Sequence, residues 1–212
     1  LQIAEKKFGR SPVPFCWISY GSEGRKEQTF KTDQDNAIIY ADPKSSKQQD
    51  DALLYFPVFA QFVRDSLVKC GFPLCPADYM ASNPRWCQPL KVWKSYFATW
   101  ISHPTPEAIL RSLIFFDFRP LFCGEELAQE LRDFLTQQLA GRNLFLAQMA
   151  AAAIRPATMS FGLCRRTRIT RPRSSSASIA AAFALRRRRR GISSSSSMRL
   201  GTFLHLMGQR LG

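Results

Sequence analysis

Every one of the 16 acidic residues of this chain falls within its first 133 residues, where 16 lysines and arginines balance them. Residues 134–212 carry the other 14 basic residues, all of them arginine, and no Asp, Glu or Lys. Two compositions are therefore joined in one chain, and only the first has the balance of charge and apolar residues that a packed domain needs. The net charge of +14 would on its face suggest a nucleic-acid binder, since clustered Lys and Arg neutralise phosphates and release counterions. Because the excess lies wholly in the second part, the first part is neutral and that class is excluded for it on charge. With 45% hydrophobic and 12% aromatic residues, the chain can build the core of one medium domain or two small ones.

Beyond Ile154 the apolar periodicity fails. Arg165–Arg166, Ser174–Ser176, Arg186–Arg190 and Ser193–Ser197 are low-complexity runs that cannot bury enough apolar surface to offset the entropy of ordering them. Three readings of this tail stand side by side: an arginine-rich arm for nucleic acid or a membrane surface, an inert disordered segment, or sequence translated out of frame from near Ile154. The last accounts best for the loss of all acids and lysines at once. The six cysteines (Cys16, Cys70, Cys75, Cys87, Cys123, Cys164) show no CxxC pair or Cys/His spacing and read as reduced, mostly buried thiols. No signal-peptide pattern opens the chain and no apolar run approaches the ~20 residues of a bilayer span, so a cytoplasmic location is expected. Leu1 begins in mid-pattern without an initiator Met, which suggests a piece of something longer.

Within the balanced part, Phe15–Tyr20 is a short apolar and aromatic run that predicts a buried strand, ending at Gly21-Ser22. A short helix is expected over Glu23–Phe30. Asp33-Gln34-Asp35-Asn36 then leads into Ala37–Tyr40, a second strand. From Asp51 to Cys70, Leu53, Phe56, Ala60, Val63 and Leu67 step by three and four along one helical face, and Gly71 and Pro73 stop the helix. A loop is expected over Phe72–Pro89. Leu90, Trp93, Phe97 and Trp100 mark another helix. Thr105-Pro106-Glu107 gives the N-cap and first turn of a further helix, with Ile109, Leu110, Leu113 and Ile114 inside. A last helix over Glu125–Leu139 buries Leu127, Leu131 and Phe134. The expected division is thus a mixed α/β domain over residues 1–88, a helical domain over 89–150, and the Arg/Ser/Ala-rich tail over 151–212.

Carboxylates at i and i+2 on a strand point to one face, so Asp33 and Asp35 are candidates to grip one divalent cation. Mg²⁺ is commonly held by one or two carboxylates plus substrate phosphates. Gly21 and Ser22, with the helix N-terminus behind them, offer backbone N–H groups to those phosphates, and Arg25 lies one turn further on. The implied chemistry is in-line attack on an α-phosphate, with metal stabilising the attacking and leaving oxygens. A D-x-D pair alone reads as an exposed turn, and a Gly-Ser pair alone as less. Their order and closeness in the chain are what raise the joint reading.

Gly21-Ser22-Glu23-Gly24-Arg25-Lys26-Glu27-Gln28-Thr29, followed by Thr32-Asp33-Gln34-Asp35-Asn36-Ala37, resembles the signature of nucleotidyltransferases often found beside CBS and cyclic-nucleotide-binding domains, relatives of the bacterial PII uridylyltransferase. Met80–Cys87 and Phe115–Arg119 are similar to later blocks of that family, the second within its helical, substrate-binding part. The resemblance covers roughly residues 10–150. It implies a polymerase β-type nucleotidyltransferase fold followed by an α-helical domain, with Gly21 and Ser22 at a nucleoside triphosphate (UTP or ATP) and Asp33 and Asp35 on Mg²⁺ or Mn²⁺. It further implies transfer of UMP or AMP to an acceptor such as a signalling protein of the PII type, in a bacterial cytoplasm, with CBS or cyclic-nucleotide-binding domains upstream. Arg25 would meet the phosphates and neutralise developing charge. Nucleic acid enters only through the tail.

One element of that pattern has no obvious counterpart. The fold usually supplies a third carboxylate from a later strand, and Asp78, the nearest by position, reads better as a loop residue in Pro76-Ala77-Asp78-Tyr79. An inactive nucleotide-sensing or interaction module is therefore the alternative. Trp86, Trp93 and Trp100 read as core aromatics rather than a nucleobase pocket. Asp117 and Arg119 read as an ion pair between helices, and His103 and His205 carry no partner pattern.

Overall fold

The computed structural model describes residues 1–27 and 32–154, of which Leu1–Ala152 form one compact unit. The readings placed on the tail and on His205 lie outside the described residues. Four strands, β1 (Phe15–Ser19), β2 (Asn36–Tyr40), β3 (Cys87–Pro89) and β4 (Arg119–Phe122), form one sheet in the order β3-β2-β1-β4. β1 runs antiparallel to both β2 and β4, while β2 and β3 are parallel. The helices are α1 (Gln2–Phe8), α2 (Gly21–Gly24), α3 (Ser46–Lys69), α4 (Leu90–Ser102), α5 (Pro106–Phe115), α6 (Glu125–Gln138) and α7 (Asn143–Ile154). The architecture is mixed α/β. No described helix is long and apolar enough to cross a membrane.

β1 and β2 are buried at every position, as strands covered on both faces must be. Alternation separates the faces. Phe15 and Trp17 of β1, paired with Tyr40 and Ile38 of β2, join Ala52, Phe56, Phe59, Ala60 and Val63 of α3 in one cluster. Cys16, Ile18, Ala37 and Ile39 face the other way, toward the side covered by α4 and α6. Trp93 of α4 donates its indole N–H to the Ile38 carbonyl at 3.0 Å, fixing that helix to the sheet. Trp86, Trp93 and Trp100 are all buried and surround Phe115 at ring separations of 4.5, 5.6 and 5.7 Å. They are core, as expected.

Several boundaries differ from the sequence reading. α3 begins at Ser46 because Ser45 caps it, its hydroxyl accepting from the Gln48 N–H at 3.2 Å. Its buried face runs through Ala52 rather than Leu53, which is 58% exposed. Pro57 lies inside α3 at an exposed position. α5 has the predicted Thr105 cap and Pro106, but it buries Ile109, Ser112 and Phe115 while Leu110 is exposed. In α6, Ala128, Leu131 and Leu135 are buried, and Leu127 and Phe134 only half so.

Two strands were not foreseen. β3 lies in the stretch read as loop, and β4 in the stretch read as helical. Each is an edge strand of four residues or fewer, and Pro120 within β4 is tolerated because an edge need not donate on both sides. Over the described part of the expected helix Glu23–Phe30, only α2 forms, and it ends at Gly24; positions 28–31 lie outside the described residues. Arg25 caps it and Lys26 follows with φ of 59°, turning the chain out of the helical path.

Candidate functional site

Because β1 and β2 are antiparallel, the end of one meets the start of the other: Ser19 pairs with Asn36. This brings Gly21-Ser22, just after β1, beside Asp33-Gln34-Asp35, just before β2. The Asp35 carbonyl accepts from the Tyr20 N–H at 3.4 Å. Gly21 has φ of +62°, and a Cβ there would come within 3.3 Å of Asp35 Oδ2. Glycine is thus needed both for the left-handed turn and for the close approach of backbone to carboxylate. Gly24 is constrained more severely, since a Cβ would lie 2.0 Å from the Asp117 carbonyl oxygen. The first-turn N–H groups of Gly21, Ser22 and Glu23 have no intrahelical acceptor.

Alternation continues into the acidic segment. Gln34 is buried and donates its amide to the Arg64 and Phe72 carbonyls at 3.2 and 3.0 Å. Asp33 and Asp35 fall on the opposite side. There a ligand atom of each lies within 4.8 Å of the other and of the Cys75 sulfur, the group of this kind among the described residues. This donor set fits a divalent cation. Burial, then the neighbouring Asp33 charge, pushes the Asp35 carboxyl up to about 6, with Glu23 adding and a Cys75 hydrogen bond opposing. Glu23 is itself raised by burial and held back by Arg119.

Cys75 is the residue that sequence reasoning missed. It arrives on the loop after α3, which hydrogen bonds tie to the acidic segment. Gln34 N–H donates to the Pro73 carbonyl at 3.1 Å and Asn36 N–H to that of Tyr79 at 3.3 Å. The Asn36 side chain accepts from the Ala81 N–H at 3.0 Å. The buried Tyr20 hydroxyl donates to the Asn36 and Tyr79 carbonyls at 3.0 and 2.5 Å. No spacing in the sequence signals this loop. The signal available was the Asn36 amide following the D-x-D pair, a buried polar group that requires partners. Cys16 and Cys75 are buried, Cys87 is partly so, and Cys70 and Cys123 are exposed; all five are free thiols, while Cys164 lies outside the described residues. Burial pushes the Cys75 thiol up to about 11, with the Asp35 charge adding and backbone N–H groups of Tyr79 and Ala77 opposing.

Asp78 is a loop residue. It has φ of 56°, and its carboxylate accepts from the Asn83 amide at 2.8 Å. Arg25, expected at phosphates, is held by two carboxylates: Nε meets Glu27 at 3.0 Å and a terminal nitrogen meets Asp117 at 3.1 Å, all three side chains being at most 13% exposed. Asp117 thus pairs with Arg25, and Arg119 donates to the Glu23 carbonyl at 3.2 Å. These two contacts fasten the Gly21–Glu27 turn to the segment joining α5 to β4. His103 caps the end of α4, its Nδ1 3.0 Å from the Ser102 hydroxyl.

The family model described as Putative nucleotidyltransferase DUF294 matches residues 1–107 of the chain. No curated protein and no solved structure matches it significantly.

Proposed function

Since the chain belongs to the DUF294 nucleotidyltransferase family, we propose that it transfers a nucleoside monophosphate, UMP or AMP, from a nucleoside triphosphate to an acceptor such as a signalling protein of the PII type. The observation that carries this reading is the meeting of Asp33 and Asp35 within 4.8 Å, beside a Gly21 turn at positive φ where a Cβ would stand 3.3 Å from Asp35 Oδ2. Asp33 and Asp35 hold the cation, Mg²⁺ or Mn²⁺. Gly21 and Ser22 present backbone N–H groups to the triphosphate. Arg25, aimed by Glu27 and Asp117, neutralises charge near the phosphates from that anchored position. The metal, when bound, supplies electrostatic stabilisation of the oxygens around the α-phosphorus.

The test is transfer of label from an α-labelled triphosphate to candidate acceptor proteins. Wild-type protein should label its acceptor, and Asp33→Asn with Asp35→Asn should not. Equal labelling by the double variant would sink the assignment.

A second reading, a nucleotide-sensing module without turnover, is favoured by one observation: the group completing the acidic pair is a thiol where a third carboxylate was sought. Binding of triphosphate with no labelling of any acceptor, by protein that retains its cation, would select it.

A further inference from the structure

Mg²⁺ takes oxygen ligands and keeps several waters, whereas a thiolate favours softer and borderline ions. The three groups that converge here are two carboxylates and one sulfur, Asp33, Asp35 and Cys75. We propose that Cys75 is a third ligand of this centre, making it a mixed carboxylate and thiolate site that selects a borderline divalent cation such as Co²⁺ or Zn²⁺ over Mg²⁺. This rests on the preceding reading that Asp33 and Asp35 hold a metal and replaces Mg²⁺ as the preferred ion of that site.

Three observations support it. The sulfur is fixed relative to the acids, because the Cys75 loop is tied at Pro73, Tyr79 and Ala81 to Gln34 and Asn36, the residues that flank Asp35. The Tyr20 hydroxyl closes the same frame from β1 by donating to Tyr79 and Asn36. Cys75 is a buried free thiol, 8% exposed, with its sulfur beside the Asp35 carboxylate. Finally, Gly21 leaves the space beside Asp35 Oδ2 clear, since any Cβ would enter it at 3.3 Å. When a cation is taken up, the metal–sulfur bond forms as the S–H bond breaks and the proton passes to water.

The experiment is a titration of the metal-free full chain with Co²⁺, followed by the thiolate-to-cobalt charge-transfer absorption, with Mg²⁺ binding measured by competition. Wild-type protein should show the sulfur band at one equivalent. Cys75→Ser should lose that band and bind Co²⁺ roughly tenfold more weakly or worse, as removal of even an outer-shell partner commonly does, with Mg²⁺ affinity unchanged, so that Mg²⁺ displaces Co²⁺ correspondingly more readily. Cys75→Asp, which restores an oxygen ligand, should keep Co²⁺ binding without the band and compete better with Mg²⁺; it decides the matter should the serine variant fail to fold. If fully loaded wild-type protein shows no sulfur band, or Cys75→Ser retains it, Cys75 is not a ligand. If Co²⁺ then still depends on Asp33 and Asp35, the metal reading stands without it. Binding unaffected by Asp33→Asn with Asp35→Asn would remove the underlying site as well.

Discussion

Two loops enclose the acidic pair, and they are held in place by different means. The Gly21–Glu27 turn depends first on its residue types, with Gly21 and Lys26 at positive φ and Gly24 pressed against the Asp117 carbonyl, and is then tied down by the Arg25–Asp117 and Arg119–Glu23 contacts. The Phe72–Ala81 loop has Gly71 at its entry and Asp78 at positive φ, but it is positioned chiefly by hydrogen bonds to residues far away in the chain, Tyr20, Gln34 and Asn36. The first loop is written in its residue types, because only glycine tolerates those close approaches. The second is written in partners that the fold supplies. Both sit at one end of the same two strands, so the candidate centre is half locally encoded and half assembled.

The contrast can be broken most sharply at Gly24. Gly24→Ala forces a Cβ into a backbone oxygen that has no rotamer by which to move aside, and should cost about 3 kcal/mol or more. Denaturant unfolding would measure it, and a cost under about 1 kcal/mol would mean that the turn is less tightly held than its geometry indicates. On the other loop, Asn36→Ala leaves the Ala81 N–H without its acceptor and should cost about 2 kcal/mol. It should also loosen Cys75 relative to Asp35, which hydrogen exchange across residues 72–81 would detect; unchanged exchange there would argue that the loop holds itself.

Between the loops, Asp35 gives the contrast a pH dependence. Burial and the Asp33 charge raise its folded value to about 6 from an ordinary 3.8. Protonated Asp35 therefore stabilises the metal-free fold fully below pH 3.8, and that contribution is lost as the pH rises through about 6. The displacement corresponds to at most about 3 kcal/mol, which solvent at this half-buried carboxylate reduces to roughly half. Melting of metal-free protein across that range should show a downward slope that Asp35→Asn flattens; equal slopes would refute the assignment. The smallest effect is expected for Tyr20→Phe. The Tyr79 carbonyl keeps the Asn36 N–H as a donor, so loss of the hydroxyl should cost about 1 kcal/mol. A cost as large as that of Asn36→Ala would make the hydroxyl the main tie of the loop.

Legibility followed the same division. β1 and β2 were readable because a continuous apolar run suits a strand buried on both faces, and α3, α4, α5 and α6 because their apolar residues repeat at helical spacing. The rotation of those helices was less so. In α3, Leu53 and Ala52 are adjacent, and it is the small Ala52 that fits against the aromatic cluster of Phe15, Phe56 and Phe59. β3 and β4 were hidden because edge strands this short draw their hydrogen bonds from a neighbour and leave little pattern of their own. Arg25 was expected at phosphates, and its pairing with Glu27 and Asp117 was not foreseen, since Asp117 lies far along the chain.

The sequence by itself determined that Asp33 and Asp35 share a face, that a Gly-Ser turn precedes them, and that the charge excess lies outside the domain that carries them. Local stereochemistry suffices for each: the two-residue period of a strand, the freedom of glycine, and composition. Only the tertiary structure decided that Cys75 is the third group at the acids and that Arg25 is bound to Glu27 and Asp117. Those pairings join residues with no common period. They form because buried polar groups such as Gln34, Asn36 and Tyr20 must find partners, and the packing of α3 against the sheet brings those partners within reach.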